Sequence, residues 1–140
     1  NNHSKIPFKN NFFDYIIAGE IIEHIFDTDY FLEEIRRLLK KGGFLVLSTP
    51  NLASLGRRLM LLIGLNPLIE LSCNEAGSSG HIRYFVKESL FKLLEKHKFK
   101  IIDFKSDVVN FDKTGVYHSK LLAKLLPTLG KSLIIKCQKL

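Results

Sequence analysis

No stretch of this sequence is apolar for long enough to cross a bilayer. The longest uninterrupted run, Leu59 to Ile63, falls far short of the roughly 20 residues a spanning helix needs. No charged-then-apolar leader stands at the amino end either, so a cytoplasmic location and no membrane partner are expected. Cysteine is nearly absent. Cys73 and Cys137 lie far apart with no CxxC spacing, which argues against a zinc site and a disulfide framework and fits a reducing compartment. Internal repeats and low-complexity tracts are missing, and no GxGxG-like segment occurs. A dense basic run is missing too. The 21 basic against 14 acidic residues give a net charge of +7. Lys40-Lys41, Lys96, Lys98, Lys100, Lys131, Lys136 and Lys139 are scattered, however, so solubility explains the excess better than nucleic-acid binding does. A basic RNA-binding protein stays as one alternative, recognised by a steep fall of RNA affinity with salt.

What is present suits one globular domain: 140 residues, 46% of them apolar, enough to bury a core. The most informative stretch is Phe12 to His24, FFDYIIAGEIIEH. An apolar block (Tyr15, Ile16, Ile17) thins to Ala18-Gly19 and is followed by Glu20, Glu23 and His24. A buried strand that ends in small residues, with acids and a histidine just beyond, is how open α/β sheets build ligand sites, in the crevice outside the strands' carboxyl ends.

Ahead of it, NNHSKIPFKNN is polar and reads as a connecting loop anchored by Ile6 and Phe8. After it, Asp27 or Thr28 can cap a helix whose apolar stripe is Phe31, Ile35, Leu38 and Leu39. Glu33, Arg36, Arg37 and Lys40 face away, with Glu33 one turn before Arg37, and Gly42-Gly43 supplies the stop. Phe44 to Leu47 has the continuous apolar character of a strand covered on both faces, which makes a βαβ unit with parallel strands. Ser48-Thr49-Pro50-Asn51 closes that strand. Residues 52–65 read as a helix, 65–80 as a long lid-like loop and 87–97 as a helix. Leu121, Leu122, Leu125 and Leu126 form a last helical stripe that Pro127 halts. The fold class is α/β, with strands at about 13–18, 43–48, 99–106 and 131–138 and helices on both faces.

FFDYIIAGEIIEHI, LEEIRRLLKKGGFLVLSTPN and GHIRYFVKESLFKLLEKHKFKIID, in that order, resemble the carboxyl-terminal half of a class I, Rossmann-like S-adenosylmethionine-dependent methyltransferase. The opening IPFKNNFFD resembles the connector between that family's third and fourth strands. The family usually has Pro where Lys41 stands and Gly where Lys98 stands, departures that bear on stability more than on chemistry. The resemblance implies a partial sheet of about four strands, the last antiparallel, with 1–140 the carboxyl-terminal portion of one methyltransferase domain. It also implies that the glycine-rich cofactor loop lies upstream of Asn1, so that this portion alone is expected to be inactive. In the longer parent it implies methyl transfer to an oxygen of a small molecule or RNA. The rival reading is a non-catalytic module that completes a partner or a homodimer through an exposed sheet edge.

The candidate site residues follow. The resemblance places Ala18, Gly19 and Glu20 beside the methionine part of S-adenosylmethionine. Glu20, Glu23 and His24 have i, i+3, i+4 spacing, so one helical turn would put two carboxylates and an imidazole on one face. Such a set suits Mg or another divalent metal, with His81 as a fourth ligand. It resembles the metal site of small-RNA 2′-O-methyltransferases, and Glu20, Glu23 and His24 also match ubiquinone-pathway O-methyltransferases. Capping and solvation explain the same residues without a metal. His24 and His81 are the general-base candidates. Asn51 faces the crevice as a substrate contact or a helix cap, and Arg83 as a contact for an anionic substrate or a partner of Glu88. His3, His97 and His118 read as surface residues.

Overall fold

The structure, a computed structural model, describes residues 5–67, 78–111 and 116–140. His3, Cys73 and most of the loop expected over 65–80 lie outside them. The block around Tyr15 forms β1 (Phe13–Gly19), and the run from Phe44 lies within β2 (Leu39–Pro50). The two pair in parallel, Ala18 opposite Leu47 and Gly19 opposite Ser48. Between them runs α1 (Thr28–Leu38), capped by Asp27, whose side chain accepts from the Tyr30 amide. Next come α2 (Leu55–Leu62), α3 (Lys87–Lys96) and β3 (Phe99–Lys105). A small ladder that no alternation signalled follows, β4 (Val109–Asn110) with β5 (His118–Ser119). The chain then forms α4 (Lys120–Leu125) and β6 (Ser132–Lys139). β6 inserts between β2 and β3, antiparallel to both, so the main sheet runs β1-β2-β6-β3. The expected α/β class and the antiparallel last strand are both observed.

Register decides which side chains share a face. Ala18, Leu45, Leu47, Leu133, Ile135 and Cys137 are buried on one side, in one core cluster with Leu32 and Ile35 of α1 and Leu90 and Leu94 of α3. Burial pushes the Cys137 thiol up to about 12, as for an inert core residue. On the opposite side Tyr15 and Ile17 are 61% and 78% exposed. There Tyr15 stacks on Phe44 at 5.5 Å between ring centroids, and the Lys136 ammonium sits 4.4 Å from the Phe44 centroid. α1 and α3 share the side of that core, and on the other side β1 keeps Tyr15 and Ile17 exposed. The apolar runs of β1 and β2 are suited to two-sided cover, and β1 receives it on one side.

Local differences have local causes. The helix stop expected at Gly42-Gly43 comes earlier, at Leu38, and the glycines instead shape an irregular entry to β2. Phe13 pairs with Leu39 but Tyr15 with Phe44, so Lys40 to Gly43 bulge out. Gly42 has φ +76°, and a Cβ on Gly43 would lie 3.0 Å from the Asp14 and Lys40 carbonyls. Arg37 pairs with the buried Glu34 (Nη2 to Oε1, 2.6 Å) and not with Glu33. It also donates to the carbonyls of Phe8 and Ile6, while Glu34 accepts the Ile6 amide. This clamp fixes the amino-terminal connector, whose Ile6 and Phe8 side chains stay largely exposed. The Arg37 hydrogen bonds hold the Glu34 carboxyl below the usual carboxylate range. The clamp is therefore complete at neutral pH and is lost as acidification protonates Glu34. His97, expected at the surface, is 7% exposed and lies with Nε2 2.6 Å from Asp29 Oδ1.

Lys98 follows α3 with φ +62° and donates its amide to the Glu95 carbonyl at 3.0 Å. That is the left-handed helix-end position that favours Gly. Lys98→Gly is expected to stabilise the fold by about 1 kcal/mol. Urea unfolding checks this, and a midpoint that drops would contradict it.

Candidate active site at the carboxyl ends of the parallel strands

β1 ends at Gly19, and the chain turns on Glu20, a non-glycine residue at φ +50°. Strain of about 1–2 kcal/mol is tolerated there because neighbours fix the turn. The Glu20 amide donates to the Ser48 carbonyl at 3.0 Å, and the Glu20 carboxylate accepts the Ser48 hydroxyl at 2.8 Å. Ile22–His24 then forms one 3-10 turn. At three residues per turn successive side chains diverge: Ile22 and Glu23 point inward while His24 stays at the rim. Glu23 is 1% exposed.

The Glu23 carboxyl meets β2 directly. Its Oε2 accepts the Thr49 hydroxyl at 2.8 Å, whereas its Oε1 is buried with no hydrogen-bond partner. His81 lies 3.9 Å from that oxygen through Nε2. The Glu23 backbone carbonyl brings His81 there by accepting both the Ile82 and Arg83 amides, at 3.0 and 3.1 Å. His24 Nδ1 is 3.1 Å from the Gly80 carbonyl, and the two imidazoles lie 4.8 Å apart between centroids. A carbonyl can only accept, so in this contact His24 Nδ1 is the donor. Gly80 takes φ +74° to present that carbonyl, a conformation open to glycine.

Three of the four expected metal ligands thus converge. One ligand atom each from Glu23, His24 and His81 falls within 4.8 Å of the others. Glu20 is held apart by Ser48, because the backbone reaches the 3-10 turn only after it. A buried carboxylate oxygen without a partner is costly unless something occupies it. A divalent ion bound by two imidazoles and a carboxylate is chemically suited to that place.

The other candidates take different positions. Ala18 is 3% exposed and sits in the core, so only its backbone borders the crevice. A Cβ on Gly19 would meet only Ser48 Oγ, at 3.6 Å, so the strand end is open there. Asn51 is fully used within the fold. Its side-chain amide donates to the Thr128 and Gly130 carbonyls, both at 2.9 Å, and its oxygen accepts the Ala53 amide. Substrate contact is left without a donor on Asn51, and the cap position of α2 belongs to Ser54. Arg83 donates to the Ile25 carbonyl at 3.0 Å and to the Phe26 carbonyl, while Glu88 pairs with Lys92. Its job is to hold the turn below the site. Thr49 and Ser48, which position both acids, were readable only as small polar residues at a strand end.

The chain belongs to the class I, Rossmann-like methyltransferases: a family model described as a methyltransferase domain matches residues 1–103. Among curated relatives, a probable S-adenosylmethionine-dependent methyltransferase of Mycolicibacterium smegmatis is 29% identical over 135 residues, which is 95% of this chain and 43% of that protein. A ubiquinone biosynthesis O-methyltransferase of Pelagibacter ubique is 46% identical over 39 residues, 28% of this chain and 16% of that one. A crystal structure of an S-adenosylmethionine-dependent methyltransferase from Thermotoga maritima superposes with a TM-score of 0.65 at 21% identity, covering 96% of this chain and 60% of that one. At that identity the likeness is one of fold. The chain spans less than half the length of the curated relatives it matches.

Thr49→Val keeps the shape of the side chain and removes the one hydrogen bond to the buried carboxyl. It is expected to cost about 1–3 kcal/mol of unfolding free energy, because both Glu23 oxygens are then buried unpaired. Unchanged stability in a denaturant titration would show that the Glu23 carboxyl does not depend on β2.

Proposed function

We propose that these residues form the carboxyl-terminal portion of a methyltransferase domain that methylates an oxygen of a small molecule or RNA, with the reaction centred on the Glu23–His24–His81 cluster. The gathering of those three side chains within 4.8 Å, with one Glu23 carboxyl oxygen buried and unpaired, carries the reading. S-adenosylmethionine, when bound, supplies a methyl group on a sulfonium. Gly19 leaves room for it, and the exposed Glu20 carboxylate offers a counter-charge at the strand end. A divalent ion, such as Mg, would be held by Glu23 Oε1 and the imidazoles of His24 and His81, and would supply Lewis-acid activation of the acceptor hydroxyl.

The chain's own contribution is orientation and proton handling. In-line displacement needs the acceptor oxygen held opposite the sulfur. The fixed 3-10 turn and the Gly80–His81 tie provide a rigid wall for that. As the oxygen–methyl bond forms and the sulfur–methyl bond breaks, the hydroxyl proton passes to a His24 or His81 imidazole whose lone pair no ion engages, and to solvent where an ion occupies both. The Pelagibacter relative is by name an O-methyltransferase and Coxiella burnetii relatives are by name C-methyltransferases, so the oxygen acceptor rests on the acid and histidine cluster alone.

Two observations support the view that these residues are one part of a larger domain. The sheet leaves Tyr15 and Ile17 exposed in mid-strand, and the relatives extend well beyond the matched length. The end position of β1 in the main sheet supports a second reading, a module that pairs with a partner or a second copy along that edge. Sedimentation separates the two, since a clean monomer of the 140-residue chain speaks against self-pairing.

The catalytic reading is tested by titrating the full-length protein with Mn²⁺ and with S-adenosylmethionine. One metal site is expected, weakened at least about tenfold by Glu23→Ala and by His81→Ala, while Glu20→Ala leaves it nearly intact. Metal affinity indifferent to Glu23 and His81 would contradict the metal assignment. Failure to bind S-adenosylmethionine would contradict the enzyme.

A further inference from the structure

A cavity whose lining includes none of Glu23, His24 and His81 lies between α2 and β4. It is a half-open cleft of about 250 Å³, and its Leu59, Ile63 and Phe111 residues are 45%, 70% and 49% exposed. Its apolar wall includes Leu59, Met60 and Ile63 from α2 and the following turn, with Phe111 beyond β4. The helix approaches β4 closely, because a Cβ on Gly56 would touch the Asn110 carbonyl at 3.4 Å.

The polar part of the lining is unusual. Arg57, Asn110 and Lys131 all border the cavity. One terminal guanidinium nitrogen of Arg57 (Nη1) and the side-chain oxygen of Asn110 are out of solvent and have no hydrogen-bond partner. Burial pushes the Arg57 guanidinium down from its ordinary value, with the Tyr84 phenol acting against that shift. A desolvated guanidinium N–H without an acceptor is costly in a native fold. Lys131 is a second positive group on the same wall. Its backbone is held from both sides, the amide donating to the Val108 carbonyl at 2.7 Å and the carbonyl accepting the Asn51 amide at 2.8 Å, while the residue itself is exposed. The cleft thus has an apolar wall with Arg57, Asn110 and Lys131 on its border.

We propose that this cavity binds a small amphipathic carboxylate, its anionic head on Arg57 and Lys131 and its hydrocarbon part against Met60, Ile63 and Phe111. The planar guanidinium fork matches a carboxylate in a way that a lone ammonium does not. Size sets the rest. An apolar cavity of about 150 Å³ holds benzene, so 250 Å³ takes on the order of ten non-hydrogen atoms, the size of an eight-carbon acid. A hydroxyl near the carboxylate would satisfy Asn110 as well. The proposal concerns binding alone and stands independently of methyl transfer.

Isothermal titration of the full-length protein, without cofactor, tests it with octanoate, 3-hydroxyoctanoate, 1-octanol and acetate. Both acids are expected to bind at least about tenfold more tightly than the alcohol, which lacks the charge, and than acetate, which lacks the tail. Arg57→Met is expected to abolish the preference for acid over alcohol while keeping or raising the melting temperature, since it removes a buried unpaired donor. Met60→Trp, which fills the cleft, should abolish binding of acid and alcohol alike. Equal binding of octanoate and octanol, octanoate affinity indifferent to Arg57→Met, or no binding of either acid would overturn the proposal. A collapse of the Arg57→Met fold would overturn it too, because the guanidinium would then be structural.

Discussion

The hydrogen bond from Thr49 to the buried Glu23 carboxyl is the contact on which the rest of the site depends. It joins the carboxyl end of β2 to the turn that leaves β1, the two parallel strands whose ends frame the crevice. A carboxyl at 1% exposure is costly wherever an oxygen lacks a partner, and Thr49 satisfies one of the two. The other faces His81, and the Glu23 main chain draws the Gly80–Arg83 segment into place. One acid thus organises the site twice, through its side chain and through its backbone. His24 is aligned by the same segment, because its ring meets the Gly80 carbonyl.

That arrangement explains why the neighbouring acid behaves differently. Glu20 precedes the 3-10 turn, sits at a left-handed backbone angle and keeps its carboxylate at the rim on Ser48. Its openness suits contact with a positively charged ligand, whereas the recessed Glu23 suits a metal or a structural hydrogen bond. Two acids three positions apart are thereby given separate tasks by burial alone. Further along the same edge, Asn51 ties β2 to the turn before β6. The strand that carries Thr49 therefore cannot shift without disturbing the sheet.

Much of this was legible in the sequence, for physical reasons. Continuous apolar runs marked the strands. The capping Asp27 and the stripe through Ile35 and Leu38 marked α1, and Ala18-Gly19 followed by acids marked the strand end. Less was legible where tertiary geometry decides. The i, i+3, i+4 spacing of Glu20, Glu23 and His24 suggested one shared helical face, but the chain enters a 3-10 turn only after Glu20, so that residue falls out of the set. Asn51 and Arg83 looked like ligand contacts because they are polar and near a crevice. Their hydrogen bonds to main-chain carbonyls depend on segments distant in sequence, which no local pattern reveals. Gly42-Gly43 fitted a helix stop equally well as a bulge, and only the pairing of Phe13 and Tyr15 with β2 separates the two. The exposed side of β1 was masked by the same apolar runs that located the strands, since composition says that a strand wants cover without saying what provides it.

The central claim is that the carboxyl ends of β1 and β2, with the Glu23–His24–His81 turn, form the reaction side of a methyltransferase. A crystal structure of the full-length protein with S-adenosylhomocysteine tests it most directly. The account predicts the cofactor's sulfur over Gly19 and Glu20, facing the two imidazoles across a gap wide enough for an acceptor oxygen. A cofactor seated elsewhere, or imidazoles turned away from the sulfur with Glu23 sealed behind packed side chains, would contradict it.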